Sequence, residues 1–209
     1  MSREIVKITT FLILIFSGCS TYSFIYDFEL VNVESSLFEN GKERSYKLNK
    51  NEEAEILKIF YEDEVVKIIW IPQPKQIAFS LYNKSDFNLK IIWDEAAYID
   101  ENGVSRRVIH KGTKYIDRFN PQPPTIVAKN SYIIDLIYPA DFIFYDEGWQ
   151  EKPIFPYEFT GKREKAQMLA QNYEGKIFKI LLPIEINGIK KEYLFAFKIN
   201  NVKLKEERD

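Results

Sequence analysis

The sequence predicts an all-β fold, an antiparallel β-sandwich with one short helix, behind an N-terminal signal segment. Three observations carry this. Seven or more runs of alternating apolar and polar residues follow one another at intervals of roughly ten residues, as strands that bury one face do. The breaks between them hold Asn, Gly and Pro, and no alternation of strand with long helix marks a parallel βαβ fold. Sixteen Phe, thirteen Tyr and three Trp give an aromatic share of 15%, and such rings fill the space between two sheets.

The chain opens with Arg3 and Lys7, an apolar run over residues 8–16, then Ser17 and Gly18 before Cys19. These are the basic, apolar and small-residue parts of an export signal, and the apolar run is too short to cross a bilayer as a helix. Residues 1–18 are therefore expected to be removed. Residues 19–50 read as a tether and first strand region, with Asn40-Gly41 as a turn, and residues 51–205 as the sandwich domain. Within 52–61, Ala54, Ile56, Leu57 and Phe60 lie near helical spacing, which leaves a short helix open as an alternative before the alternating strand of Val66, Ile68 and Trp70.

Ile77, Phe79 and Leu81 then share a face, Asn83-Lys84-Ser85-Asp86 turns, and Leu89, Ile91 and Trp93 continue. Asn102-Gly103 reads as a tight turn, because both residues tolerate positive φ. Asn120-Pro121-Gln122-Pro123-Pro124 lacks ladder donors and predicts a crossing loop between sheets. Tyr132, Ile134, Leu136 and Tyr138 alternate, and an irregular aromatic segment follows over 141–156. Residues 163–172 form the one helix, with Ala166, Leu169 and Ala170 on one side. Phe178 to Ile186 and Ile189 to Ile199 make a long hairpin about Asn187-Gly188, with a type I′ turn; Pro183 predicts an edge strand or a bulge.

Ile15-Phe16-Ser17-Gly18-Cys19 resembles the lipobox of bacterial lipoproteins, with Phe16 where an aliphatic residue is usual. The resemblance implies diacylglycerol on the Cys19 thiol, cleavage before Cys19 and acylation of its new amino group. Cys19 is then the lipidation site and membrane lipid its partner. Several acyl chains hold a domain on a bilayer where one would let go. Ser20 after the cysteine implies, by the sorting rule of enteric lipoproteins, an outer-membrane location facing the periplasm. Phe79-Ser80-Leu81-Tyr82-Asn83-Lys84-Ser85 with Leu89-Lys90-Ile91-Ile92-Trp93 resembles a strand, turn and strand of immunoglobulin-like domains in exported bacterial proteins. An immunoglobulin-like sandwich is the expectation; with no disulfide at Trp93, a jelly roll or barrel stays open.

Loss of residues 1–18 removes Arg3, Lys7 and Glu4, leaving 27 basic against 30 acidic groups and a net charge of −3. That balance carries no nucleic-acid footprint. With Cys19 the single cysteine, the domain has no disulfide and relies on packing. No nucleophile elbow or phosphate loop occurs, and no cofactor is implied.

His110 is the single histidine, so any imidazole base or zinc site must use it, with Asp94, Glu95, Asp100, Glu101 or Asp117 as sequence neighbours. A hydrogen-bonded histidine at a strand end is the preferred reading, and no metal site is assigned. Arg106, Arg107, Lys111, Lys114 and Arg118 form a basic run, read as ion pairs on a solvated face or as contacts to a lipid headgroup or anionic glycan. Phe142, Phe144, Tyr145, Trp149 and Phe155 surround Gly148 and read either as a cap on the sandwich or as a recognition loop. The leading functional expectation is a non-enzymatic, membrane-anchored structural or partner-binding module of the cell envelope, using Trp149, Tyr145, Phe144, Arg106 and Arg107. A glycan- or apolar-ligand-binding lipoprotein using the 142–155 loop, and a hydrolase using His110, are the alternatives.

Overall fold

The computed structural model describes residues 20–35 and 57–207, so Cys19, the signal segment and residues 36–56 lie outside it. The chain forms β1 (Ser20–Ser35), β2 (Ile59–Glu62), β3 (Val66–Pro72), β4 (Ile77–Asn83), β5 (Leu89–Ile91), β6 (Ala97–Ile99) and β7 (Ser105–Ile109). It continues with β8 (Thr125–Val127), β9 (Tyr132–Pro139), β10 (Ile143–Tyr145), β11 (Trp149–Glu151), β12 (Glu158–Gly161), α1 (Arg163–Gln171), β13 (Ile177–Ile186) and β14 (Ile189–Glu207). The fold is all-β with one short helix among the described residues. Every pairing is antiparallel, in the order β12-β1-β14-β13-β6-β7-β9-β4-β3-β2, with β5 joining β13 to β8.

This sheet curls back on itself into a sandwich-like pair of layers. Trp70 of β3 meets Phe195 and Phe197 of β14 at ring-centroid distances of 5.0 and 5.6 Å, although those strands stand far apart in the pairing order. Only facing layers bring them together. Trp70, Phe79, Phe178, Phe195 and Phe197 are all buried, each contributing about 1.5–3 kcal/mol by leaving water. These packed rings are a visible source of stability for the described residues, which contain no cysteine.

β1 falls in the segment read as tether and first strand, and it belongs to the same core as the rest. Tyr22, Phe24, Tyr26, Phe28 and Leu30 are buried along it, while its backbone pairs with β14 over most of its length. The helix left open over 52–61 lies partly outside the described residues. Its described end is strand instead, because Ile59 and Tyr61 bury at period two against β3. α1 matches its expected span and buries Ala166 and Ala170.

The β13–β14 turn has φ of 50° at Asn187 and 76° at Gly188, the two positive values that a type I′ turn requires. Pro183 is at neither an edge nor a bulge. It stays in register with Glu192, and its carbonyl accepts the Ile92 N–H at 3.0 Å on the side where β13 changes partner from β6 to β5. Proline has no N–H to donate, so this position contributes only its carbonyl to the pairing on that side. The Asn102-Gly103 turn is longer than expected: Asp100 Oδ1 accepts the N–H groups of Asn102 and Val104, closing a loop between Ile99 and Ser105. Asn83 ends β4 and starts the crossing to β5, its buried Nδ2 donating to the carbonyls of Phe87, Val127 and Ala128.

Candidate functional site

His110 sits just beyond β7. Its ring stacks on Trp93 at 4.2 Å between centroids and 3° between planes, and its Nδ1 lies 3.3 Å from Asp135 Oδ2. The other carboxylate oxygen accepts the N–H groups of Lys111 and Leu136, each at 2.8 Å. Trp93 is fixed in turn by donating from Nε1 to Thr125 Oγ1 at 2.8 Å. This is a packed, hydrogen-bonded imidazole at a strand end. The partner carboxylate is not among the five sequence neighbours: Asp94 pairs with Arg107, and Asp100 with Arg106.

Asp135 had a readable signal. The strand alternates, but Tyr132 and Ile134 face solvent at 63% exposure each, so the core face is that of Ile133, Asp135 and Ile137. A lone carboxylate among isoleucines on a buried face needs a donor. No group of three His, Cys, Asp or Glu positioned for a metal ion occurs among the described residues.

The aromatic segment divides into a cap and a tip. Phe142, Ile143, Ile154 and Phe155 are buried, with Phe155 packed against Phe28 and Phe178 of the core. Phe144, Tyr145 and Trp149 are carried outward on the β10–β11 hairpin and are 46%, 69% and 41% exposed. The tip is nonetheless ordered by its neighbours. Trp149 meets Tyr145 at 5.5 Å and Tyr115 at 6.0 Å, both edge-on, while the Arg118 guanidinium lies 5.0 Å above its ring. Tyr115 donates its hydroxyl to Glu151 of β11, and Ile116 and Phe119 beside it are exposed. The turn around residue 115 was not identified from sequence, where it was a basic run with apolar interruptions.

Arg106 and Arg107, adjacent in β7, go opposite ways. Arg107 donates to Asp94 at 2.5 Å and to the Asn120 carbonyl at 2.6 Å. Arg106 donates through Nε and NH2 to Asp100 and through NH1 to Asp141, and its guanidinium lies over Phe142. Burial pushes the Asp100 carboxyl up, but the bonds from Arg106 and from the Val104 and Asn102 N–H groups outweigh it and hold the carboxyl below its ordinary range. The structure therefore brings Tyr145, Trp149 and Phe144 together on one hairpin. It leaves Arg106 in a separate cleft and Arg107 in a third place.

Comparison with protein families, curated proteins and solved structures finds no match for this chain.

Proposed function

We propose that the chain is a lipid-anchored, non-enzymatic module of the bacterial cell envelope that binds a partner protein through the β10–β11 tip. One observation supports this above the others: Tyr145 and Trp149 are exposed side by side on the paired β10–β11 hairpin, Trp149 being held in turn by Tyr115 and Arg118. Large rings that are ordered before contact lose little entropy on binding, and Trp, Tyr and Arg dominate the energetics of protein interfaces. The anchor follows from the lipobox resemblance at Cys19, and the periplasmic face of the outer membrane from Ser20.

The sole imidazole gives the hydrolase alternative little support. His110 is half of a stack with Trp93, and among the described residues no serine or threonine hydroxyl is hydrogen-bonded to it. The test is photo-crosslinking in intact cells from a benzoylphenylalanine placed at position 145. A discrete crosslinked protein that disappears with Trp149→Ala, at unchanged thermal stability, is the expected result. Crosslinks spread evenly over abundant envelope proteins would refute the hairpin as a docking tip.

A further inference from the structure

The β10–β11 tip belongs to a wider apolar surface. Ile116 and Phe119 lie in and just after the short helical turn Tyr115–Asp117 and are 73% and 57% exposed. That turn is joined to the hairpin by the Tyr115–Trp149 ring contact and by the Tyr115 hydroxyl, which donates to Glu151. The Arg118 guanidinium bridges the two sides, lying over the Phe119 ring at 4.6 Å and over the Trp149 ring at 5.0 Å. Phe144, Tyr145 and Trp149 thus continue into Ile116 and Phe119 as one patch. Single exposed apolar residues are ordinary on a protein surface, whereas a connected group of large ones marks a site of contact.

The charges on this patch are sorted by side. The hairpin turn carries Asp146 and Glu147, and the segment leading into the helical turn carries Lys111 and Lys114, all four exposed. Among the described residues none of these four side chains forms an ion pair. Asp117, the acid on the basic side, accepts from Asn120 Nδ2 at 2.9 Å. One half of the patch is therefore negative and built of the hairpin rings, and the other is positive and built around Ile116 and Phe119. Such a surface complements itself, because in a two-fold pair each half meets the opposite half of the second copy. Asp146 and Glu147 then stand against Lys111 and Lys114 twice over, while Ile116 and Phe119 cover the rings of Phe144 and Tyr145. A partner surface of one sign would set like charges against one of the halves, which weakens docking.

We infer that the partner of the β10–β11 tip is a second copy of this chain, docked as a two-fold pair in which the acidic hairpin of each copy lies on the basic turn of the other. This rests on the docking role proposed above and names its partner. The experiment is co-expression of the full chain in intact cells with two different carboxy-terminal tags, one copy carrying benzoylphenylalanine at position 145. The expected product has twice the mass of one chain and carries both tags. Glu147→Lys or Lys114→Glu in both copies should reduce that product about tenfold or more at unchanged melting temperature, since like charges then face each other twice. One Glu147→Lys copy paired with one Lys114→Glu copy should restore it, because both contacts again join opposite charges. A discrete crosslink to a different protein would overturn self-pairing and leave the docking role standing. Crosslinks spread over many proteins would overturn both. A two-tag product that is indifferent to the single reversals, or that the mixed pair does not restore, would overturn the two-fold charge arrangement.

Discussion

Asp63 closes the turn between β2 and β3 through Oδ1, which accepts the Val65 and Val66 N–H groups at 2.8 Å each. Its Oδ2 reaches across the core to β14, accepting from Lys191 Nζ at 2.8 Å and the Tyr193 hydroxyl at 2.6 Å. Lys191 is 3% exposed, so its ammonium is held by this carboxylate at a depth where a lone charge is expensive. Removing the ammonium with Lys191→Met leaves a carboxylate without its countercharge and is expected to cost about 3 kcal/mol, read from urea unfolding. The acid response has a definite sign. Burial pushes the Asp63 carboxyl up, and the bonds from Lys191, Tyr193 and Val66 outweigh it, leaving the folded-state value lowered. Its contribution is complete above the unfolded value of about 4 and is lost as pH falls from there through the folded value. Wild-type unfolding free energy should therefore drop between pH 5 and pH 3, and Asp63→Asn should flatten part of that slope. Sequence gave no access to this network, since Asp63 and Lys191 are 128 positions apart and both look like ordinary surface charges.

At the scale of elements, the strands that bury one clean face were the legible ones. In β3, Val66, Ile68 and Trp70 are fully buried in alternation, as are Phe178, Ile180, Leu182 and Ile184 of β13 and Tyr193, Phe195, Phe197 and Ile199 of β14, whereas Ile189 beside the turn, read from sequence on the same face, is exposed. Elements whose environment changes along their length were not legible. β2 looked helical because Leu57 and Phe60 are spaced by three, yet neighbouring β3 selects Ile59 and Tyr61. Pro183 looked like an edge because nothing local shows that β13 exchanges β6 for β5 around it. The β13–β14 turn offers a direct check, since Gly188 has φ of 76° with open space around its Cα. Gly188→Val, bringing a β-branched side chain to that conformation, should destabilise the fold by about 1–2 kcal/mol without affecting crosslinking from position 145. The aromatic tip was found as a composition, but its buttress was not, because Tyr115 and Arg118 join Trp149 only through folding.

For the molecule as a whole, the two longest strands, β1 and β14, decide how it would stand on a membrane. β1 has 16 residues and β14 has 19, so they run for roughly 50 and 60 Å at about 3.3 Å per residue. Ser20 is already paired with Gly161, so an acylated Cys19 would attach directly to the end of the sheet with no linker between. The domain would then be held close to the bilayer by its β1 end, with Asn187-Gly188 toward the opposite end of β14. Fold class was legible because aromatic alternation repeats along the chain; layer contacts such as Trp70 against Phe195 were not, because they depend on how the sheet curls. Lipidation of Cys19 is tested most directly by intact-mass measurement of the mature protein from membranes. It predicts a chain beginning at Cys19 that carries diacylglycerol and an amide-linked acyl group, with Cys19→Ala losing both lipid and detergent partitioning. A mature chain with an unmodified Cys19 thiol, or one that retains residues 1–18, would contradict it.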